Sequence, residues 1–341
     1  MATLGSNVLT LTDWAKRLDP KGKVDKTVEI LSQTNEILTD MLWKEGNLPT
    51  GHRTTIRTGL PTVYWRLMNQ GVAPSKSTTA QVDEQCGMLE AWSEVDKDLA
   101  ELNGNVGAFR LSEAQAFLEA MNQEMADTMF YGTASNPEEF VGLDARYSDT
   151  SATNGQNILL AGGSGADNSS VYLVGWGGNE CHGIFPKGSK AGIMHEDLGL
   201  VTVETTAGIA GNRMRAYQDH WQWKSGLVVQ DWRYVVRIAN IDISDLAGLS
   251  GTQETTDSTF LPKLMSRAID RLPKLSGIKP VFYCNRSVKS LLRVAALEKS
   301  TSAVTIEPGL NQFGQTIHEM RFLGIPVRTV DRLTETESLV S

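Results

Sequence analysis

The apolar positions Val24, Val28, Leu31, Leu38 and Leu42 recur at helical spacing, Ile30, Ile37 and Met41 widen the stripe, and Gly46 follows as a stop. This pattern predicts an extended arm over residues 1–50 that carries one amphipathic helix. The period then changes. HRTTIRT is polar and β-branched, Gly59-Leu60-Pro61 is turn-forming, and the next residues alternate, with Val63, Trp65 and Leu67 on one face and Tyr64, Arg66 and Met68 on the other. These signals predict a long two-stranded projection ending near Glu84. A lone hairpin of this kind leaves one large face in water, so something has to cover it. Met88 to Leu102 fits a strand that turns into a helix, and the pattern leaves that choice open.

A long helix is predicted from Ser112, whose side chain can cap the first turn with Gln115 as its partner. Phe117, Met121, Met125 and Met129 follow at four-residue intervals, Leu118 lies beside them, and Gly132 ends the run; the stripe reads as core. TASNPEEFVGLDARYSDTSATNGQN is turn-rich and AGGSGADNSS, residues 161–170, reads as a loop or boundary. Strands dominate next: VYLVGW, LGLVTVETTAG, and GLVVQDWRYVVRIANIDI. In the last of these, Val228, Trp232, Tyr234, Val236 and Ile238 share one face while Asp231, Arg233 and Arg237 share the other. Pro262 to Leu272 is an amphipathic helix ended by Pro273, PVFYC is a short buried strand, and Asn285 caps a further helix through Leu291, Leu292 and Ala295. MRFLGIPVRTV supplies one more strand, with Pro326 at an edge or a bend.

Composition narrows the function classes. A chain of 341 residues that is 40% hydrophobic can bury a large core. Its net charge of -8 argues against a dedicated nucleic-acid binder, which needs a basic face to release counterions from phosphate, although passive contact stays open. Cys86, Cys181 and Cys284 are far apart and form no CxxC pair, so neither a disulfide framework nor a zinc site is signalled and a reducing compartment fits. No apolar run approaches the roughly 20 residues of a membrane span, and the N-terminus has no basic stretch followed by an apolar one, so the chain is expected to stay in the cytoplasm where it is made.

Each catalytic candidate fails on chemistry. GIFPKGSK, residues 183–190, has Ser189 before Lys190, the reverse of what a phosphate loop needs, and reads as a β-turn. GGSGA, residues 162–166, has Ala where a nucleophile elbow needs Gly, leaving Ser164 a loop serine. Neighbouring strand residues point to opposite faces, so Cys181 and His182 do not share a metal, and the expectation is a partly buried Cys and a surface His. His195-Glu196-Asp197 lacks the second His of a zinc-protease motif, and His52, His220 and His318 fall in unrelated segments. Trp221, Trp223 and Trp232 suit a core or a subunit interface, or else a sugar-stacking surface, which would need polar Asp or Asn residues beside them.

In order, the segments are an arm, a β projection, a spine helix followed by FYGTASNPEEFVGLDARY, a strand-rich region with DWRYVVRIANID, and an α/β unit with GIPV in the tail. Together they resemble the major capsid protein of tailed bacteriophages. The resemblance implies an α+β chain with the Hong Kong 97-like fold. Its parts would be an N-terminal arm at 1–50, an E-loop at 51–86, a P-domain with the spine helix at 87–136, a connecting region at 137–170, P-domain long strands at 171–240 and an A-domain at 241–341. The strands come before the helices, which implies a permuted, podovirus-type variant.

The same resemblance implies a structural protein, not an enzyme, that self-assembles through pentamers and hexamers into an icosahedral shell around a double-stranded DNA genome. It carries no catalytic, cofactor or metal residue. The E-loop residues Arg57, Tyr64, Trp65, Arg66, Met68 and Lys76 would contact the P-domain of a neighbouring subunit, and the polar tip APSKSTTAQ would reorder as the shell matures. Lys76 is the one lysine of the projection, but no matching asparagine or glutamate is found, so no crosslink is implied. Implied partners are a separate scaffolding protein, portal and decoration proteins, and packaged DNA in passive contact, with no membrane. Assembly would take place in the host bacterial cytoplasm and the product would reside in the virion capsid. The rival readings are an encapsulin-like compartment, a sugar-binding β-rich protein and a hydrolase.

Overall fold

The computed structural model describes residues 32–102, 105–204, 212–244, 261–298, 304–310 and 316–341. In chain order the first elements are α1 (Ile37–Asp40), β1 (Trp43–Glu45), β2 (Gly51–Gly59), β3 (Thr78–Gln85), β4 (Gly87–Asp96), α2 (Lys97–Glu101) and α3 (Val106–Tyr131). Then come α4 (Leu143–Arg146), β5 (Ile158–Leu160), β6 (Asn168–Trp176), β7 (Cys181–Phe185), β8 (Ile193–Glu204), β9 (Arg213–Val229) and β10 (Val235–Asp242). The last are α5 (Leu261–Arg271), β11 (Lys279–Cys284), α6 (Arg286–Glu298), β12 (Val304–Leu310), β13 (Thr316–Phe322) and β14 (Ile325–Thr329). The chain divides into two compact units: residues 1–35, 88–126 and 192–224 in one, and residues 36–87, 127–191 and 225–341 in the other.

In the first unit β9 pairs with β8 in antiparallel register, Asp197 opposite Asp219 and His195 opposite Trp221, and β4 is also a neighbour of β9. One face of these strands meets α3. Phe117 stacks on Trp221 with centroids 5.3 Å apart, and His195 stacks on the same indole at 5.2 Å. Arg110 of α3 bridges Asp219 at 2.8 Å and Asp197 at 2.6 Å, while its guanidinium lies over the Tyr217 ring. Trp221 and Trp223 are buried, which places them in the core and not on a sugar-binding surface. Side-chain alternation sends Gln218, His220 and Gln222 to the opposite face, together with Met88, Glu90, Trp92 and Glu94 of β4. There Trp92 stacks on His220 at 4.1 Å, Gln218 donates to Glu94 at 2.9 Å, and Gln222 donates to Glu90.

The second unit is built on a mixed sheet in the order β12-β13-β14-β11-β6-β10-β5. Strand β11 runs parallel to β14 and antiparallel to β6. Strands β6 and β10 are buried on both faces, so that their Val, Ile and Leu residues enter the core from either side. Leu264, Met265 and Ala268 of α5, Val288 and Leu292 of α6, Leu173, Ile238, Phe282 and Phe322 form one core. The same sheet continues from the end of β6 to β7, Trp176 opposite Cys181, and β7 takes β1 in parallel and the end of β9 in antiparallel.

Several sequence expectations change. Val24, Val28, Ile30 and Leu31 of the expected arm helix lie outside the described residues. Among the described ones only Ile37–Asp40 is helical, and Met41 is already extended because Trp43–Glu45 adds to β7. Gly46 is therefore no helix stop. The open segment 88–102 resolves into strand then helix, with the Asp96 carboxylate accepting from the Asp98 and Leu99 amides as N-cap. Helix α3 begins six residues before Ser112 and is about 39 Å long. The Asn105 side chain accepts from the Ala108 amide, so the cap lies at Asn105. The run from Gly226 to Ile243 is not one strand: Asp231 accepts from the Arg233 amide and starts a 3-10 turn, Trp232–Tyr234, that separates β9 from β10. MRFLGIPVRTV is a hairpin, with Leu323 and Gly324 at positive φ in the turn, and Pro326 precedes the register with β11, which begins at Val327.

Candidate assembly interface

The projection is a hairpin whose β2 and β3 pair from Gly51 opposite Gln85 to Gly59 opposite Thr78. This corrects the expected turn at Gly59-Leu60-Pro61, because β2 pairs with 78–85 and not with Val63–Met68. The residues between the strands, 60–77, form no ladder. The segment folds back on itself through a turn, Gln70 N–H to Leu67 C=O at 3.3 Å with Asn69 at φ 65, and through the Ser75 hydroxyl donating to the Thr62 carbonyl at 2.7 Å. Trp65 is fully exposed and Met68 is 91% exposed; Leu60, Val63, Tyr64 and Leu67 are exposed beside them. The expected contact residues Arg66 and Lys76 lie in this exposed segment with Tyr64, Trp65 and Met68, and Arg57 stands on β2, also exposed. Alternating faces, expected for 63–68, do not exist there, since no partner strand fixes a pleat.

The base of the hairpin is tied down. Glu84 makes a bidentate pair with Arg146, both N–O distances 2.6 Å, and Arg146 also donates to the Val141 carbonyl. Burial works against the Arg146 charge, but Glu84 outweighs it and the guanidinium pKa is raised. Arg53 and Asp83 form a second bidentate pair across the strands. At Gly226 a Cβ would lie 2.7 Å from the Gln85 carbonyl oxygen, so glycine is what allows β9 to approach the hairpin this closely. His52 of β2 meets His182 of β7 edge to face, with centroids 5.8 Å apart. His182 is buried, against the expectation of a surface histidine, and Cys181 is buried completely, because β7 is an inner strand of the sheet, flanked by β1 and β9. Burial, Lys44 and His52 hold the His182 pKa down at about 4.

The family model for the major capsid protein GP7 matches residues 19–341. The chain belongs to this capsid-protein family. A chain in the near-atomic structure of bacteriophage Epsilon15 is similar to it at 32% identity, covering 100% of this chain and 99% of that one with a TM-score of 0.79. The bacteriophage JBD30 capsid (8% identity, 90% and 93% covered, TM-score 0.46) and the SrpI encapsulin of Synechococcus elongatus PCC 7942 (11%, 68% and 96%, TM-score 0.42) are more distant and carry no argument. No curated protein sequence matches. The capsid protein is an α+β chain of the Hong Kong 97-like class, with a structural role in a self-assembling icosahedral shell and a place in the virion capsid.

In this capsid protein the motifs set aside on sequence grounds are structural. GIFPKGSK ends β7 in a turn, Ser189 N–H to Pro186 C=O at 3.0 Å with Gly188 at positive φ, and GGSGA is a loop. Among the described residues no group of three or more His, Cys, Asp or Glu side chains is placed to hold a metal, and no helix is long and apolar enough to cross a membrane. Burial raises the Cys181 and Cys284 thiols to about 12, far from a reactive thiolate.

Sequence reasoning missed two anchors. One is the Glu84–Arg146 latch. The other is Arg237, expected on a polar face but buried. Arg237 pairs with Glu337 at 2.9 Å and Asp144 at 2.6 Å, and donates to the Ser170 hydroxyl and the Tyr147 carbonyl. Glu337 also accepts from Tyr131 at 2.6 Å, and Asn240 exchanges two 2.9 Å bonds with the Val340 backbone, so the C-terminal residues are stitched into the sheet. A lone Arg in VVRIANID was the available signal, since a charge in an otherwise apolar strand needs a buried partner.

Proposed function

We propose that the chain is the shell subunit of a double-stranded DNA phage, assembling through pentamers and hexamers in the host cytoplasm, and that its projection tip is the principal self-association element. The observation that carries the reading is the exposed 60–76 segment. A monomer that left Trp65, Met68, Leu60 and Val63 in water would offer the kind of apolar patch that marks a protein interface. Gly51–Cys86 acts as the E-loop, with Arg57, Tyr64, Trp65, Arg66, Met68 and Lys76 as its contact residues. Residues 1–50 act as the arm, α3 as the spine of the P-domain, and the helices and strands after residue 241 belong to the A-domain. The protein acts without catalysis, with a separate scaffolding protein, with portal and decoration proteins, and in passive contact with packaged DNA.

Negative-stain microscopy and light scattering of the expressed protein, alone and with a scaffold, test this. Closed particles are expected. A stable monomer at high concentration in the presence of scaffold overturns the reading. Trp65→Ala removes a contact on the order of 200 Å², or roughly 2 kcal/mol per interface, and is expected to abolish particles with an unchanged circular dichroism spectrum. Normal particles from this variant would exclude the tip as an interface.

A further inference from the structure

We infer that His52 of β2 and His182 of β7 form a two-imidazole site for Zn²⁺, which fastens the base of the projection to the sheet of its own chain. The site is separate from the exposed tip and does not depend on what covers it.

His182 is fully buried, and neither of its ring nitrogens has a hydrogen-bond partner; Nδ1 of His52 is buried in the same condition. Thr54, two residues on and so on the same face of β2 as His52, is 6% exposed, and its hydroxyl is also without a partner. The approach of His182 to the Gly177 backbone favours the charged ring but falls short of a bond. Buried polar groups are hydrogen-bonded in roughly nine cases of ten, so four unpartnered atoms on three residues at this contact call for a ligand that supplies the missing bonds. The separation of the rings fits a shared metal. Their centroids are 5.8 Å apart with planes at 84°. Two imidazoles bound through nitrogen at about 2.0–2.1 Å to one tetrahedral zinc place their centroids about 5–6 Å apart.

The donor set selects the ion. Imidazole suits zinc and its transition-metal neighbours, whereas magnesium and calcium require oxygen ligands. Burial and the Lys44 charge lower the pKa of both rings, which favours the neutral form that can give a lone pair. Lys44 is also the group that opposes a cation. Its ammonium is turned to the Gly178 carbonyl at 3.1 Å, while Glu84 stands opposite His52 in the β2–β3 ladder and brings a carboxylate, shared with Arg146, to the same place. His52 is only partly buried and gives the ion a way in. Water completes the coordination, so the site is weaker than a closed structural zinc site and fills according to the metal around it. Because β2 and β7 are far apart in the chain, an ion held by both strands locks the hairpin base beside the Glu84–Arg146 pair, and binding to the folded chain alone adds to its stability.

Isothermal titration of the full chain with ZnCl₂ in metal-free buffer tests the assignment, with the thermal midpoint measured beside it. One ion per subunit is expected at this site, together with a rise of several degrees in the midpoint that EDTA reverses. His52→Gln and His182→Gln are each expected to lose both effects, while His195→Gln keeps them. Circular dichroism checks that each variant is folded, and should His182→Gln fail to fold, the partly exposed His52→Gln decides. Lys44→Met removes the opposing charge and is expected to tighten zinc binding about tenfold, a change that a merely packed pair of histidines does not produce. No heat and no shift of the midpoint at millimolar ZnCl₂ would overturn the inference. So would zinc binding that survives in His52→Gln, because the ion then sits elsewhere on the surface, or an affinity indifferent to Lys44→Met. None of these outcomes bears on the tip, whose own test is particle formation by Trp65→Ala.

Discussion

Arg237 stands between Val236 and Ile238, both fully buried, and its charge is tolerable only because Glu337, Asp144 and two oxygen acceptors surround it. Burial opposes the charge, but Tyr172, Asp144 and Glu337 outweigh it and raise the guanidinium pKa. Removing one partner strands the other, so Arg237→Met is expected to destabilise the subunit by about 3–5 kcal/mol in urea denaturation, and adding Glu337→Met to recover part of the loss. His182 makes the opposite kind of prediction. Its folded pKa, near 4, lies below the ordinary 6.5, so the unfolded chain binds the proton first as pH falls. The contribution of His182 is complete above pH 6.5 and is lost from there down towards pH 4, with a slope of at most about 1.4 kcal/mol per pH unit. Denaturation midpoints measured between pH 7 and 5, above most carboxylate titration, are expected to fall less steeply in His182→Leu than in the parent chain.

At the scale of elements, the projection separates into a structured base and an unladdered tip. The base carries the β2–β3 ladder, the Glu84–Arg146 and Arg53–Asp83 pairs and the close approach at Gly226, whereas residues 60–76 are all exposed. Replacing Leu60–Ser77 by a two-residue Asn-Gly turn is therefore expected to keep the hairpin and leave the thermal midpoint of the subunit nearly unchanged, since no core contact is lost. Particles should be absent from the same preparation. A large drop in the midpoint would show that the tip supports the fold of its own subunit.

For the whole molecule, a net charge of -8 makes contact with packaged DNA weak and non-specific, and gel shifts with free duplex at physiological salt are expected to show little binding. Tight, sequence-dependent retardation would contradict this. Periodicity alone determined most element types, because side-chain spacing along a helix or strand is a short-range property: the methionine stripe of α3, the amphipathic α5 ended by Pro273, the apolar runs of β6 and β11 and the Asn285 cap are all local patterns. The tertiary structure decided what depends on residues far apart in the chain. Glu84 meets Arg146, Arg237 meets Glu337, and Trp43–Glu45 leaves a helical pattern to extend β7. The same long-range pairing joined β2 to residues 78–85, leaving Val63–Met68 without a partner strand, and buried His182 in an inner strand. Each of these is settled by desolvation and partner geometry in the folded chain, which no local period encodes.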